Sequence, residues 1–559
     1  MLESEASGTS PKRKCHVKTT KSRRDFLLQG LTLGAFTTAM AHARPYQILS
    51  GSGLLVSAAG AGDATAPAPP TIDIDTTMST PIQPGFSGVN TDLTVPIEYW
   101  DYRFNALASQ MNYGWLRFPG GTSGDIYDWQ TGQEKKAWLK KFQDLGHDPF
   151  NSDLISFVEG RGGTRLIDAS NRANQLGATL IICVNGFVDS VNSIGLEAQY
   201  VKDNKIRVAA WELCNEPYLF PGFFSDATAY LDSMKPYHRA IKQVDPNAII
   251  SIFVTDQAKP GAAIDPWNQA VAAYPDKYWD AISFHHYPPQ SRGDFDHWMK
   301  EECAVLASRT TSVVVELIGN IGPRGVKILN TEFDPSIPNN SKGGSSITDG
   351  TVWGGIYSAE YIMRMSKMPP VLHVGPAQIA QFAGVSSDEK MATAVENDVV
   401  AAASASAPID TMALPFGFYI TAQALGLAVL NGVINHAVQV NKTTVHGGAS
   451  VPASGLGLIP AIYAMSYSNA QGGLSVVITN KGSSAQQVTI HVDNTKPDGP
   501  IPLQFISGVT NGVPDASVKN SFGAQNVSIQ TATSGNPITV PPFSVVRADI
   551  VSVFPPAVP

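Results

Sequence analysis

The sequence predicts an α/β architecture, a (β/α)8 TIM barrel with a C-terminal antiparallel β-sandwich domain, on three observations. Between residues 85 and 435, short segments rich in β-branched residues alternate with longer helix-compatible stretches. Several of those segments are continuous apolar runs, as expected of strands buried on both faces of a parallel sheet. Beyond residue 435 helical periodicity is lost, and short alternating runs broken by Gly, Pro, Asn and Ser take over.

Taken in order, residues 1–43 read as an address rather than a fold. A polar stretch holding Lys12, Arg13, Lys14, Lys18 and Lys21 leads to Ser22-Arg23-Arg24-Asp25-Phe26-Leu27-Leu28. An uncharged segment then runs to Met40, and Ala41-His42-Ala43 offers small residues for cleavage. The paired arginines resemble a twin-arginine signal, which implies a bacterial chain passed through the Tat export machinery to the periplasm or beyond. Residues 44–70 end in a small-residue, Pro-rich linker. Residues 71–84 alternate like a strand that joins the sandwich, residues 85–435 form the barrel, and residues 436–559 form the sandwich.

The expected barrel strands are Phe86–Val89, Trp115–Phe118, Thr179–Val184, Val208–Leu213, Ala248–Val254, Ala281–Phe284, Val326–Asn330 and Ala377–Phe382. Arg165–Leu176, Ser225–Val244 and Val352–Met365 read as helices between them. A doubly wound sheet fits less well, because no Gly-rich phosphate fingerprint follows an early strand.

The chain of 559 residues carries a net charge of −8, and residues 1–43 contribute seven Lys/Arg against three Asp/Glu. Without them the charge falls to −12 (−8 minus +4). Such a surface repels nucleic acid, and a polyanion would need a local basic pocket. Three cysteines remain after residue 43, too few for a disulfide-built scaffold. No apolar run after the N-terminus is long enough to span a membrane.

Four segments end predicted barrel strands, where barrels assemble their sites. They are Trp115-Leu-Arg-Phe-Pro-Gly-Gly-Thr-Ser-Gly-Asp125 after strand two and Trp211-Glu-Leu-Cys-Asn-Glu-Pro217 after strand four. Ser283-Phe-His-His-Tyr-Pro288 follows strand six, and Ile328-Leu-Asn-Thr-Glu-Phe-Asp334 follows strand seven. Cleaving a glycosidic bond needs a proton on the leaving oxygen and negative charge at the anomeric carbon, which two carboxyl groups across a pocket supply. Glu216 and Glu332, 116 residues apart (332 minus 216), fall on strands that face each other across the barrel mouth. Glu332 is expected as nucleophile and Glu216 as acid/base, with the charge on Glu332 suppressing ionisation of Glu216. His285 and His286 point to opposite faces of a strand and cannot share one metal. No metal and no cofactor is expected, because no His-x-His pair ends an early strand.

These segments resemble clan A glycoside hydrolases, with an Asn-Glu pair after strand four and a Glu ending strand seven. Trp211–Pro217 is similar to the Trp-Glu-Leu-Gly-Asn-Glu-Pro segment of heparanase and related β-glucuronidases, and His285-His286-Tyr287 resembles their strand-six segment. Phe416–Gly426 is loosely similar to their post-barrel helix. The resemblance implies that Asn215 bonds a sugar hydroxyl and that Tyr287 orients Glu332. With Gly120, Gly121, Trp211 and His285, these are the candidate substrate-binding residues. Cys214 departs from the family Gly, while Phe118-Pro119-Gly120-Gly121 and Asp128-Trp129 resemble α-L-arabinofuranosidases. Thr331-Glu332-Phe333 resembles the β-xylosidase relatives.

The expectation is a retaining, β-glucuronidase-like exo-glycosidase acting on an oligo- or polysaccharide or other glycoside. An α-L-arabinofuranosidase or β-xylosidase is the enzymatic alternative, and a non-catalytic carbohydrate-binding barrel is the alternative of another class. Arg117, Arg324 and Lys342 are the cations nearest the expected mouth, with Gly343-Gly344 as a candidate uronate-binding loop.

Overall fold

The computed structural model describes residues 68–91, 102–147, 164–256, 265–290, 293–322, 326–334, 337–338, 347–377, 385–387, 418–521 and 523–551. The expected export signal, most of the linker, Arg324, Lys342 and Gly343-Gly344 lie outside the described residues.

Eight parallel strands form the barrel: Val89–Asn90, Trp115–Phe118, Thr179–Val184, Val208–Leu213, Ile250–Phe253, Ala281–His286, Lys327–Phe333 and Val371–Val374. A parallel bridge between Ser87 and Val374 joins the last strand to the first and closes the ring. The eighth strand corrects the expectation of Ala377–Phe382. Val-Leu-His-Val is short, directly follows Pro369-Pro370 and carries a histidine, so it reads poorly as a strand. Burial makes that histidine acceptable as a neutral ring: it pushes His373 down to about 4, and Nδ1 lies 3.2 Å from the Gly85 carbonyl.

The strand pleat sets a floor and a mouth. Trp115, Ile181, Ala210, Ala281, Leu329 and Leu372 pack together inside the ring as an apolar plug. One pleat nearer the C-terminal ends, the same inward rows carry Arg117, Cys183, Glu212 and Ser283, all buried. The barrel interior is thus dry at the bottom and ionic at the top.

The expected helices appear as Leu166–Gln175, Ala227–Val244 and Val352–Ser366. Two of them start at side-chain caps. Asp226 accepts the Ala229 N–H at 2.9 Å, and Thr351 accepts the Gly354 N–H at 3.0 Å. Val352–Ser366 and the post-barrel helix Ala422–Ile434, capped by Thr421, are buried nearly all round. The reason is their position, since both are packed against each other and against the C-terminal sheet.

That sheet is one continuous run of nine strands. Its order is Gln530–Ser534, Ile501–Ser507, Ser544–Val551, Leu474–Asn480, Ile462–Asn469, Ala437–His446, Thr71–Pro81, Gln486–Val492 and Ile538–Val540. Thr71–Pro81 pairs antiparallel with Ala437–His446 and parallel with Gln486–Val492, the one departure from an all-antiparallel pattern among the described strands. Ile72, Val476, Ile490, Leu503, Ile538 and Val546 share a core although their strands span the sheet, so the sheet folds over on itself.

A buried ionic knot ties sheet to barrel. Glu360, in Val352–Ser366, accepts from Lys481 Nζ at 2.7 Å, Arg364 at 2.7 Å and the Thr479 hydroxyl at 2.8 Å. Burial pushes the Glu360 carboxyl up, but Lys481 and Arg364 outweigh it and bring it down to about 2. A depressed carboxyl stabilises the fold above its unfolded pKa, and that stabilisation is lost as pH falls toward about 2. Replacing Lys481→Met removes one partner and leaves buried charge less compensated. It should cost about 3 kcal/mol, read as a lower melting temperature at pH 7, and the added replacement Glu360→Leu should recover part of the loss.

Candidate active site

The site is built on a charge that the fold cannot expose. Arg117, at the end of the second barrel strand, has no accessible surface. Its Nε donates to Glu212 at 2.5 Å, its Nη1 to Glu332 at 2.5 Å and to Asn90 at 3.3 Å, and its Nη2 to Asn215 at 2.8 Å. Burial opposes the charge, but Glu212 and then Glu332 hold the guanidinium protonated. One side chain therefore fixes residues from the first, fourth and seventh strands.

Glu332 reaches the mouth through a β-bulge. The register between the sixth and seventh strands shifts between Asn330 and Glu332, so Thr331 and the residue after it both point inward. Asn330 faces out and donates to Tyr361, and Phe333 faces out and stacks on Tyr361 at 4.2 Å. Glu332 accepts from Arg117, from Asn90 Nδ2 at 3.0 Å and from the Tyr287 hydroxyl at 2.5 Å.

Glu216 is re-aimed by a different device. The chain after the fourth strand takes positive φ at Cys214 (70°) and at Glu216 (43°), each a left-handed conformation that costs a non-glycine residue about 1–2 kcal/mol. Positive φ makes glycine the residue of least cost at the Cys214 position. Here the thiol fills buried space beside Met234, 3.6 Å away. The Asn215 N–H between the two kinks donates to Asp125 at 3.2 Å. Burial raises the Asp125 carboxyl well above the usual carboxylate range, against the pull of the Asn215 N–H and Arg117.

His285 lies between the two glutamates. Its Nδ1 is 3.0 Å from Glu216 Oε1 and 3.5 Å from Glu332 Oε2. Those oxygens therefore cannot be more than about 6.5 Å apart, the lower edge of the roughly 6.5–9.5 Å that inverting pairs keep for a water. The Tyr218 hydroxyl also donates to Glu216 Oε1, at 2.9 Å. Both carboxylates are almost wholly buried, Glu216 at 7% exposure and Glu332 at 3%.

Of the expected residues, Glu216, Glu332, Asn215, His285 and Tyr287 converge. Gly120 and Gly121 line the same corner as backbone: a Cβ on Gly120 would stand 2.0 Å from the Thr91 carbonyl and 2.1 Å from Asn90 Oδ1. Gly121 has φ 62° and ψ −159°, a region open to glycine alone. Trp211 is a correction. It alternates with the inward Ala210 and Glu212, and it packs with the outer, helix-facing core rather than the mouth. His286 also faces out, where its Nδ1 meets the Tyr361 hydroxyl at 2.7 Å and burial pushes it down to about 3.

Two further expectations change. Ionisation of Glu216 is not suppressed: burial pushes its carboxyl up, but His285 and the Tyr218 hydroxyl outweigh that and hold it below its ordinary value. Arg117, expected among the cations nearest the mouth, has its donors engaged by the site itself. Asn90, Tyr218, Asp125 and Glu212 went unremarked in the sequence, and so did Asp256, which burial pushes up to about 6. Only Glu212 carried a signal, since an acidic residue inside an apolar barrel strand demands a buried partner.

No protein-family model matches the chain, and no curated protein matches it in sequence. Solved structures do resemble it. The GH51 arabinofuranosidase from Xanthomonas axonopodis pv. citri superposes with a TM-score of 0.63 at 13% identity, over 86% of this chain and 99% of that one. The thermostable GH51 α-L-arabinofuranosidase from Thermotoga petrophila RKU-1 gives 0.62 at 18%, with the same coverage. A Paenibacillus polymyxa xyloglucanase from Glycoside Hydrolase Family 44 gives 0.50 at 11%, again over 86% and 99%. At these identities the likeness carries the fold, and it spans barrel and sheet together.

The close approach at Gly120 generates a stability test. Gly120→Ala should overpack the corner and lower stability by about 1–3 kcal/mol in thermal denaturation. Gly319→Ala, in the helix Thr310–Asn320 where an added Cβ meets nothing within 4 Å, should raise it slightly.

Proposed function

We propose that the protein is a retaining glycoside hydrolase with Glu332 as nucleophile and Glu216 as acid/base, acting on terminal neutral furanosides in the manner of an α-L-arabinofuranosidase. The observation that carries the reading is the pair of carboxylates against one imidazole nitrogen, 3.0 and 3.5 Å away. That closeness suits a double displacement better than an inverting attack by water. Glu332 has the environment of a nucleophile, paired with Arg117 and aimed by Asn90 and Tyr287. Glu216, on the facing strand beside the partly open Tyr218, is in place to protonate a leaving oxygen.

The sugar is read from charge and fold. A uronic acid needs a cation for its carboxylate, and the guanidinium nearest the carboxylates is committed to Glu212, Glu332 and Asn215. The β-glucuronidase-like alternative therefore rests on Arg324, Lys342 and Gly343-Gly344, outside the described residues. The arabinofuranosidases among the fold neighbours support the pentose reading. The Arg23-Arg24 segment supports export by the twin-arginine route to the periplasm or beyond.

A panel of nitrophenyl glycosides tests this directly, with α-L-arabinofuranoside expected to be cleaved and β-glucuronide and heparan sulfate left nearly untouched. Glu332→Ala should lose several orders of magnitude in rate, and a 2-fluoro glycoside should label Glu332. Glu216→Ala should lose most on poor leaving groups and be partly rescued by azide. Label on Asp334 instead, or silence across the panel, would overturn the assignment.

A further inference from the structure

The hydrogen-bond arithmetic around His285 says where a proton sits. The Thr331 hydroxyl has one hydrogen, and it is donated to Glu212 Oε1 at 2.8 Å. The other oxygen of Glu212 accepts the Arg117 Nε–H, so the carboxyl is an acceptor on both sides. Toward His285 Nε2, 3.3 Å away, the Thr331 oxygen can therefore only accept, so Nε2 carries a hydrogen. The other nitrogen, Nδ1, is buried against oxygens of Glu216 and Glu332 at 3.0 and 3.5 Å. A bare lone pair facing two carboxylates in so buried a place is strongly unfavourable, so one more proton belongs in that gap.

The surroundings favour the imidazole as its holder. Burial and Arg117 oppose a charge on the ring, but Glu332 and Glu216 outweigh them and raise His285 above its ordinary value. Phe253 meets the ring edge-on at 5.1 Å, and the Tyr287 ring lies at 6.4 Å. Tyr218 donates to the same Glu216 oxygen, which favours a carboxylate there. Asp256, at the end of the fifth strand, adds negative charge on that side when ionised.

We propose that the proton delivered to the glycosidic oxygen is held in the resting enzyme on His285 Nδ1 and passes to Glu216 when a sugar fills the pocket. This rests on the proposed glycosidase reading and adds His285 as a positioning residue that acts through Glu216. In the transfer the Nδ1–H bond breaks and a Glu216 O–H bond forms. Imidazolium and carboxylate become imidazole and carboxylic acid, with no change in net charge. A sugar that displaces water disfavours the separated charges and drives the transfer. Glu216 then gives the proton to the leaving oxygen, takes one from water in the second displacement, and returns it to His285.

Ring ¹⁵N spectra of histidine-labelled protein, with His285→Gln to assign the signal, test the store without any substrate. The expected result is a doubly protonated His285 ring at pH 6.5, whereas a neutral ring at that pH overturns the proposal. The pH dependence of turnover tests the transfer. In the wild type the alkaline limb should follow the raised His285 value and lie above pH 6.5. In His285→Gln the proton must reside on Glu216 alone, and the limb should move acidward by at least about one unit, a tenfold loss at pH values above it. That loss should fall on poor leaving groups. An unmoved limb, with equal loss for good and poor leaving groups, would reduce His285 to a structural role. Failure of the glycoside panel in the wild type would instead strike the proposed function and leave the ring spectra as they are.

Discussion

The interior of the barrel mouth is organised by one buried cation. Arg117 cannot be solvated, so its charge has to be met by fixed groups, and the fold supplies Glu212, Glu332, Asn215 and Asn90 from three other strands. Removing any one leaves a donor or a carboxylate stranded at low dielectric, which is far more costly than a lost surface pair. The same requirement that satisfies Arg117 fixes the bearing of Glu332 and, through Asn215, the loop that carries Glu216. Geometry at the mouth is thus a consequence of neutralising the second strand.

Regular strands alone could not deliver both carboxylates. Alternation would place Thr331 and Glu332 on opposite faces, and an extended exit from the fourth strand would carry Glu216 past the pocket. A bulge at Thr331 and two left-handed residues at Cys214 and Glu216 correct both. Such irregularities cost stability locally and persist because the surroundings over-determine them. Around Cys214 those surroundings are the Asp125–Asn215 contact, the packed Met234 and the Tyr230 hydroxyl on the Leu213 carbonyl.

This is also the boundary of what was legible in the sequence. The barrel strands announce themselves as apolar runs because burial on both faces is a compositional fact, and the eighth escaped because Val371–Val374 carries a histidine. The N-terminal strand at Thr71 was visible by alternation, but its parallel partner Gln486–Val492 lies more than 400 residues away and leaves no local trace. At the mouth, residue types and their strand ends were legible for Glu216, Glu332, His285 and Tyr287. The bearing of Trp211 was not, because an aromatic residue inside a strand reads alike on either face. Nor was the state of Glu216, since the imidazole that sets it comes from another strand.

The charges at the mouth sum in a way that bears on the chemistry. In the resting state proposed above, Arg117 and His285 are two cations among the three carboxylates of Glu212, Glu216 and Glu332, while burial pushes Asp125 and Asp256 toward their neutral forms. On the proposed function, the transition state develops positive charge at the anomeric carbon. A fixed excess of one negative charge, centred on Glu332 and shielded from water, stabilises that cation more than the neutral sugar that precedes it. Moving the His285 proton to Glu216 leaves the excess unchanged, so the acid can be armed without weakening the field that the nucleophile provides.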